Sequence, residues 1–147
     1  MSNKGYLTRD WFSNFVFTLG DFQPDSGQIH LPCSLDKKAV FMEMASDLGE
    51  NNHLEKSSFY TIWQTEFSNV VIPPQQCLTK CSICKEISEQ LNVERDTKLR
   101  LEIQQRRKEH IDEVRASRAA YYKWRKLARE FPDKYLSLII DGPYDTP

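Results

Sequence analysis

No apolar run in this 147-residue sequence approaches the ~20 residues that a membrane-spanning helix needs, and Met1-Ser2-Asn3-Lys4 opens without the apolar core of a signal peptide. These two absences predict an intracellular protein with no membrane partner. Internal repeats and low-complexity segments are also missing, so the organisation of the chain has to come from local patterns. Carboxylates are nowhere clustered as a self-sufficient metal-dependent nuclease would need, which argues against an intact small enzyme. Cysteine is sparse. In a reducing compartment, the four present read as thiols or metal ligands before disulfides.

What is present suits a folded domain: 39% hydrophobic, 28% charged and 12% aromatic residues exclude a disordered polymer. The net charge of −1 hides a strong asymmetry. Residues 1–90 hold 7 Lys/Arg and 11 Asp/Glu, residues 91–130 hold 12 and 7, and residues 131–147 hold 1 and 3. One stretch therefore carries the basic excess.

The pattern predicts a mainly α chain in three regions. Region 1–72 is helical. Trp11, Phe12, Phe15 and Leu19 mark a short amphipathic helix starting near Thr8 or Asp10, ahead of the breakers Gly20, Pro24, Gly27 and Pro32. Ser34 and Asp36 cap a second helix that ends near Gly49. Ser57-Ser58 starts a third, with Phe59, Ile62 and Trp63 on its apolar stripe. The last two form either a plain hairpin or a helix-turn-helix-like pair, with Thr61, Gln64 and Thr65 as exposed readers, although the third helix has no arginine.

Region 73–131 reads as a helical hairpin. Ile83, Ile87 and Leu91 mark one face of its first helix, the chain breaks near Asn92 to Asp96, and a long helix then runs to about Glu130. Cys81 and Cys84 form a Cys-x₂-Cys pair able to place two thiolates on one tetrahedral ion. With a rise of ~1.5 Å per residue in both arms, Cys81 should face a residue around 105 to 110 across the turn. His110 fits, and it shares a stripe with Ile103, Val114 and Tyr121. Cys81, Cys84 and His110 are thus expected to hold a structural zinc ion. The fourth ligand is open between Cys77, His30 and Cys33, while His53 sits in a polar loop and is expected to be solvated.

Arg106, Arg107, Lys108, Arg115 and Arg118 are candidate phosphate contacts on the long helix, with Arg100, Lys123, Arg125, Lys126 and Arg129 adding to its charge and Tyr121, Tyr122 and Trp124 interleaved. A solvated helix balanced by Glu102, Glu109, Asp112, Glu113 and Glu130 is the competing reading. The long helix and aromatic front equally suit a protein partner or self-association.

Region 132–147 contains the apolar run Leu136 to Ile140, closed by Asp141, Gly142 and Pro143. It reads as a buried β-strand ending on a carboxylate, or as a tail packed on a helix. A strand there has no sheet to complete, and the sequence stops six residues after Asp141, so the expectation is the front part of a larger catalytic protein.

The ordered set Trp11, Gly20, His30-Leu31-Pro32, Phe59-Tyr60-x-x-Trp63, Phe67, Val70, Ile72-Pro73, Lys80-Cys81-x-x-Cys84, His110, Arg118, Tyr121 and Pro132-x-x-Tyr135-Leu136-Ser137-Leu138-Ile139-Ile140-Asp141-Gly142 resembles a family of uncharacterised transposase- or integrase-like proteins from animal mobile elements. The likeness spans nearly the whole chain. It implies a helical, zinc-binding front region leading into a ribonuclease-H-like α/β domain, whose acidic triad holds Mg²⁺ in a full-length relative. Asp141 matches the first carboxylate of that triad. Family members continue as Asp-Gly-Met-Asp-Gln, whereas this chain reads Asp141-Gly142-Pro143-Tyr144-Asp145, which displaces the second acid by one residue. A DNA-binding fragment, nuclear in location and without catalysis of its own, is the expectation; a helical protein-interaction module is the alternative.

Overall fold

The computed structural model describes residues 2–74 and 81–138. The chain divides into two compact units, with the boundary between Ile111 and Asp112. Its elements are α1 (Asn3–Leu19), β1 (Asp21–Gln23), β2 (Gln28–His30), α2 (Lys37–Leu48), α3 (Lys56–Glu66), β3 (Val70–Val71), α4 (Ser82–Val93) and α5 (Thr97–Glu130). The fold is mainly α, with a small mixed sheet near the N-terminus.

Helix α1 starts well before Thr8, because the Ser2 hydroxyl accepts from the Gly5 amide and caps it. Thr8 is not a start but a core residue, fully buried, with its hydroxyl accepting from the Leu54 amide at 3.2 Å. The end of α1 is sterically fixed. A Cβ on Gly20 would lie 2.4 Å from Ile29 Cγ2 and 2.5 Å from the Val16 carbonyl oxygen, so only glycine lets the chain turn into β1.

The sheet was not expected from the sequence. β1 and β2 pair antiparallel with Phe22 opposite Ile29, and β3 adds parallel to β2 with Ile29 opposite Val70. Gly27, at φ +68°, completes the turn that joins β1 and β2.

Asp36 caps α2 as expected, accepting from the Ala39 amide at 2.7 Å, and Gly49 ends it at φ +79°. Helix α3 departs from expectation at its start: Glu55 occupies the N-cap without a side-chain bond, and the two serines lie inside the helix. Thr61, Gln64 and Thr65 are exposed, with the two threonine hydroxyls donating to carbonyls one turn back.

The core of this first unit is aromatic. Phe12, Phe59 and Trp63 are essentially fully buried, and Phe12 meets Phe59 edge-on at 5.2 Å and Trp63 at 4.6 Å. Trp63 donates its indole N–H to the Val70 carbonyl at 2.8 Å, tying α3 to β3.

A polar seam joins α2 to the first part of α5. Glu43 and Asp47 lie one turn apart on α2, and Arg100, Gln104 and Arg107 follow the same helical spacing on α5. Arg107 pairs in a bidentate way with Glu43, and both side chains are buried. Asp47 accepts from Arg100, from Gln104 and, at 3.0 Å, from the Trp11 indole of α1.

In the second unit, Trp124 and Tyr135 bring their rings to 5.9 Å, so the segment after α5 turns back along it. The expected strand is absent from its described part: Tyr135 to Leu138 have no strand pairing, and Leu136 and Leu138 are 80% and 69% exposed. An apolar run without a neighbouring strand leaves its backbone groups to water, which explains the departure. Ile139, Ile140 and Asp141 lie outside the described residues, as does the rest of the tail.

Candidate metal centre

Helices α4 and α5 lie antiparallel, as three contacts across the hairpin show. Arg100 donates to the Leu91 carbonyl at 2.8 Å, Arg106 meets Glu86 at 3.1 Å, and Cys81 Sγ stands 3.2 Å from His110 Nε2. The rungs move outward by about five residues on each arm, as equal rises in two helices require.

At the outermost rung, Cys81 is the N-cap residue of α4, Cys84 lies in its first turn, and His110 comes from α5. Their ligand atoms all fall within 4.8 Å of one another, and all three residues are half-buried. Two sulfurs bound to one zinc at ~2.3 Å in tetrahedral geometry stand about 3.8 Å apart, and sulfur to nitrogen is slightly less. The group fits such an ion with little adjustment.

The surroundings of Cys84 are unfavourable for a thiolate. Burial pushes the Cys84 thiol up to about 12, followed by its hydrogen bond and charge interaction with Cys81 and by the charge of Cys33, while Arg107 acts in the opposite direction. Cys81 occupies the N-cap of α4 without a side-chain bond to the helix amides, and the first turn of α4 contains no acidic residue. A cation bound to two thiolates would reverse that burial penalty and place negative charge at the positive end of the helix. The donor set therefore suits a soft, tetrahedral metal.

The remaining candidate ligands are placed as follows. Cys33 is a free, half-buried thiol in the turn after β2 and stands outside the 4.8 Å group. His30 lies in β2, its ring nitrogen 3.4 Å from the Gln28 side chain. His53 is not simply solvated: its ring is half-buried, bonds the Leu54 carbonyl at 2.7 Å and packs edge-on against Phe41. Cys77 lies outside the described residues.

The candidate phosphate contacts are dispersed. Arg107 is only 6% exposed and pairs with Glu43, so its guanidinium is a core group and not a surface contact. Arg100, at 7%, caps the α4 carbonyls and pairs with Asp47. Arg106, Lys108 and Arg118 are exposed, Arg106 pairs with Glu86, and Arg115 lies 3.5 Å from Asp112. Arg100 and Arg107 look like surface basics in the sequence because their acidic partners lie 53 and 64 residues away.

No described helix is long and apolar enough to cross a membrane. Comparison with protein families, curated proteins and solved structures found no match for this chain.

Proposed function

We propose that this chain is a zinc-stabilised helical module of a transposase-like protein that acts in the nucleus by gripping duplex DNA through the later part of α5, with no chemical step of its own. The zinc reading rests on the convergence of Cys81, Cys84 and His110, whose distances match a tetrahedral structural site. Such a site would clip the start of α4 to α5 and couple metal binding to folding.

The DNA reading is carried by one observation about charge. From Val114 to Arg129 the helix contains Arg115, Arg118, Lys123, Arg125, Lys126 and Arg129 and no Asp or Glu. Arg115, Arg118, Arg125 and Arg129 follow spacings of three, seven and four residues, which set them along one helix face. A face of this kind neutralises backbone phosphate and does not read bases, so binding should be strong at low salt and weak in sequence preference. Arg107 is not part of this surface.

The test is fluorescence anisotropy of a labelled duplex across a salt series. Four to six phosphate contacts predict a log–log slope of roughly −4 to −5, and changing Lys123, Arg125, Lys126 and Arg129 together to glutamine should flatten it by about 3 to 4. No binding at about 50 mM salt would overturn the DNA reading. That outcome would favour a protein partner instead, because Trp124, Phe131, Leu136 and Leu138 leave much apolar surface exposed on the second unit.

A further inference from the structure

A structural zinc site is closed by four protein ligands, and three of them already converge at the outer end of the hairpin. The chain supplies a further donor on the neighbouring turn. Pro32 accepts from the Leu35 amide at 3.0 Å, which folds residues 32–35 into a tight turn with Cys33 near its apex. Leu31 and Leu35 flank that turn and are buried in the cluster against which Cys84 packs. Leu35 also lines one cavity together with Ser88, a single helical turn beyond Cys84. Cys33 is therefore anchored on both sides by leucines of the cluster that Cys84 also joins, and its thiol is free and half-buried.

We propose that Cys33 is the fourth ligand, completing a Cys₃His zinc site that joins the β2–α2 turn to the α4–α5 hairpin. This rests on the zinc reading above. His30 is the poorer donor. It belongs to a strand paired on both sides, whereas Cys33 sits in a turn that can carry its sulfur toward the ion without breaking a ladder. Binding exchanges each thiol S–H bond for a Zn–S bond and releases the proton to solvent, with no change of oxidation state.

The consequence is architectural. With Cys33 bound, the ion holds the N-terminal sheet, α4 and α5 together, so metal loss should loosen the first unit as a whole and not just the hairpin.

The experiment is zinc stoichiometry with X-ray absorption on the full chain and on Cys33→Ser, Cys33→His and Cys77→Ser. Shells near ~2.3 Å and ~2.0–2.1 Å separate sulfur from nitrogen. The wild type should give three sulfurs and one nitrogen. Cys33→Ser should lose one sulfur and weaken zinc against a competing chelator by more than ~10-fold, since even outer-shell changes reach that figure. Cys33→His should keep near one zinc while trading a sulfur for a nitrogen, which guards against a serine variant that merely folds badly. Cys77→Ser should match the wild type. An unchanged sulfur count in both Cys33 variants overturns the proposal, as does loss of a sulfur in Cys77→Ser with Cys33→Ser intact. Less than about one-tenth of an equivalent of zinc in the wild type, where a closed site predicts near one, would remove the zinc reading itself.

Discussion

Replacing Glu43 by alanine should be among the most damaging single changes in the first unit, although Glu43 is a charged residue on a helix. Its carboxylate takes two bonds from Arg107, one of them at 2.9 Å, and a weaker one from Gln104 at 3.4 Å. The Arg107 guanidinium also lies 5.4 Å from the Phe15 ring centroid, and its Nε is buried without a partner. Removing the carboxylate leaves a buried cation with only a ring face for company. Breaking one side of a buried pair costs about 3–5 kcal/mol, against a total stability of about 5–15 kcal/mol for a domain of this kind. Glu43→Gln should cost less, about 1.5–3 kcal/mol, because it keeps the shape and one acceptor. Glu43→Leu combined with Arg107→Met should recover most of the loss, since a packed apolar pair needs no charge compensation. The assay is urea unfolding followed by circular dichroism, with a double-mutant cycle to isolate the coupling. A cost for Glu43→Ala below about 1 kcal/mol, the range of a surface ion pair, would refute the reasoning.

Gly20→Ala should lower the melting temperature sharply, because its Cβ would collide with the Val16 carbonyl as well as with Ile29; circular dichroism melting that leaves the midpoint within about 1 °C would refute the steric reading. Arg9 holds the Glu66 carboxyl below its ordinary value through a hydrogen bond at 2.5 Å and charge attraction. That interaction stabilises the fold above the ordinary carboxylate range and is lost as pH falls through the lowered folded value. The melting-temperature gap between wild type and Glu66→Gln should accordingly be positive near neutrality and close on acidification; a gap independent of pH would refute it. Zinc retention should also fail toward acid, because protons compete for the Cys81 and Cys84 thiolates and the His110 ring; dialysis at a series of pH values with elemental analysis checks this, and retention unchanged through pH ~4 would exclude these ligands.

Local and arithmetic features of this fold are readable in the sequence, and long-range ones are not. The Asp36 cap, the Gly49 stop and the 94–96 break are set by a few adjacent residues, so α2 and the hairpin are found where expected. Convergence of Cys81 with His110 follows from equal helical rise on either side of one turn. The sheet was missed because its strands have two or three residues each and β3 joins β2 from forty residues away, too short for a period-two pattern to show. The burial of Arg107 is hidden in the sequence for a related reason. A basic residue every few positions on a long helix reads as a solvated face until its acid appears on another helix. The described part of the apolar run, Leu136 to Leu138, shows no strand pairing, since apolar content alone cannot supply the neighbouring strand that makes a strand.

The position of the metal group along the hairpin follows from where α4 is weakest. Isolated helices of twelve residues are marginal in water, and α4 buries only Ile87 and Leu91. Its C-terminal end is secured by Arg100, which bonds the Leu91 and Glu94 carbonyls. The middle rung, Arg106 with Glu86, is half exposed on both sides and worth at most ~1 kcal/mol. At the N-terminal end α4 has neither a side-chain cap nor an acidic first turn, so its unpaired amides and positive dipole end have no compensation from the usual residues. Cys81 and Cys84 stand at that end. Ionised by a metal, the two thiolates would provide the negative charge an N-cap normally brings, and the same ion would tie that first turn to His110. The sequence Cys81-Ser82-Ile83-Cys84 would thus act as a cap once a metal was bound, and the start of α4, not its turn-proximal end, is where such an ion would contribute most.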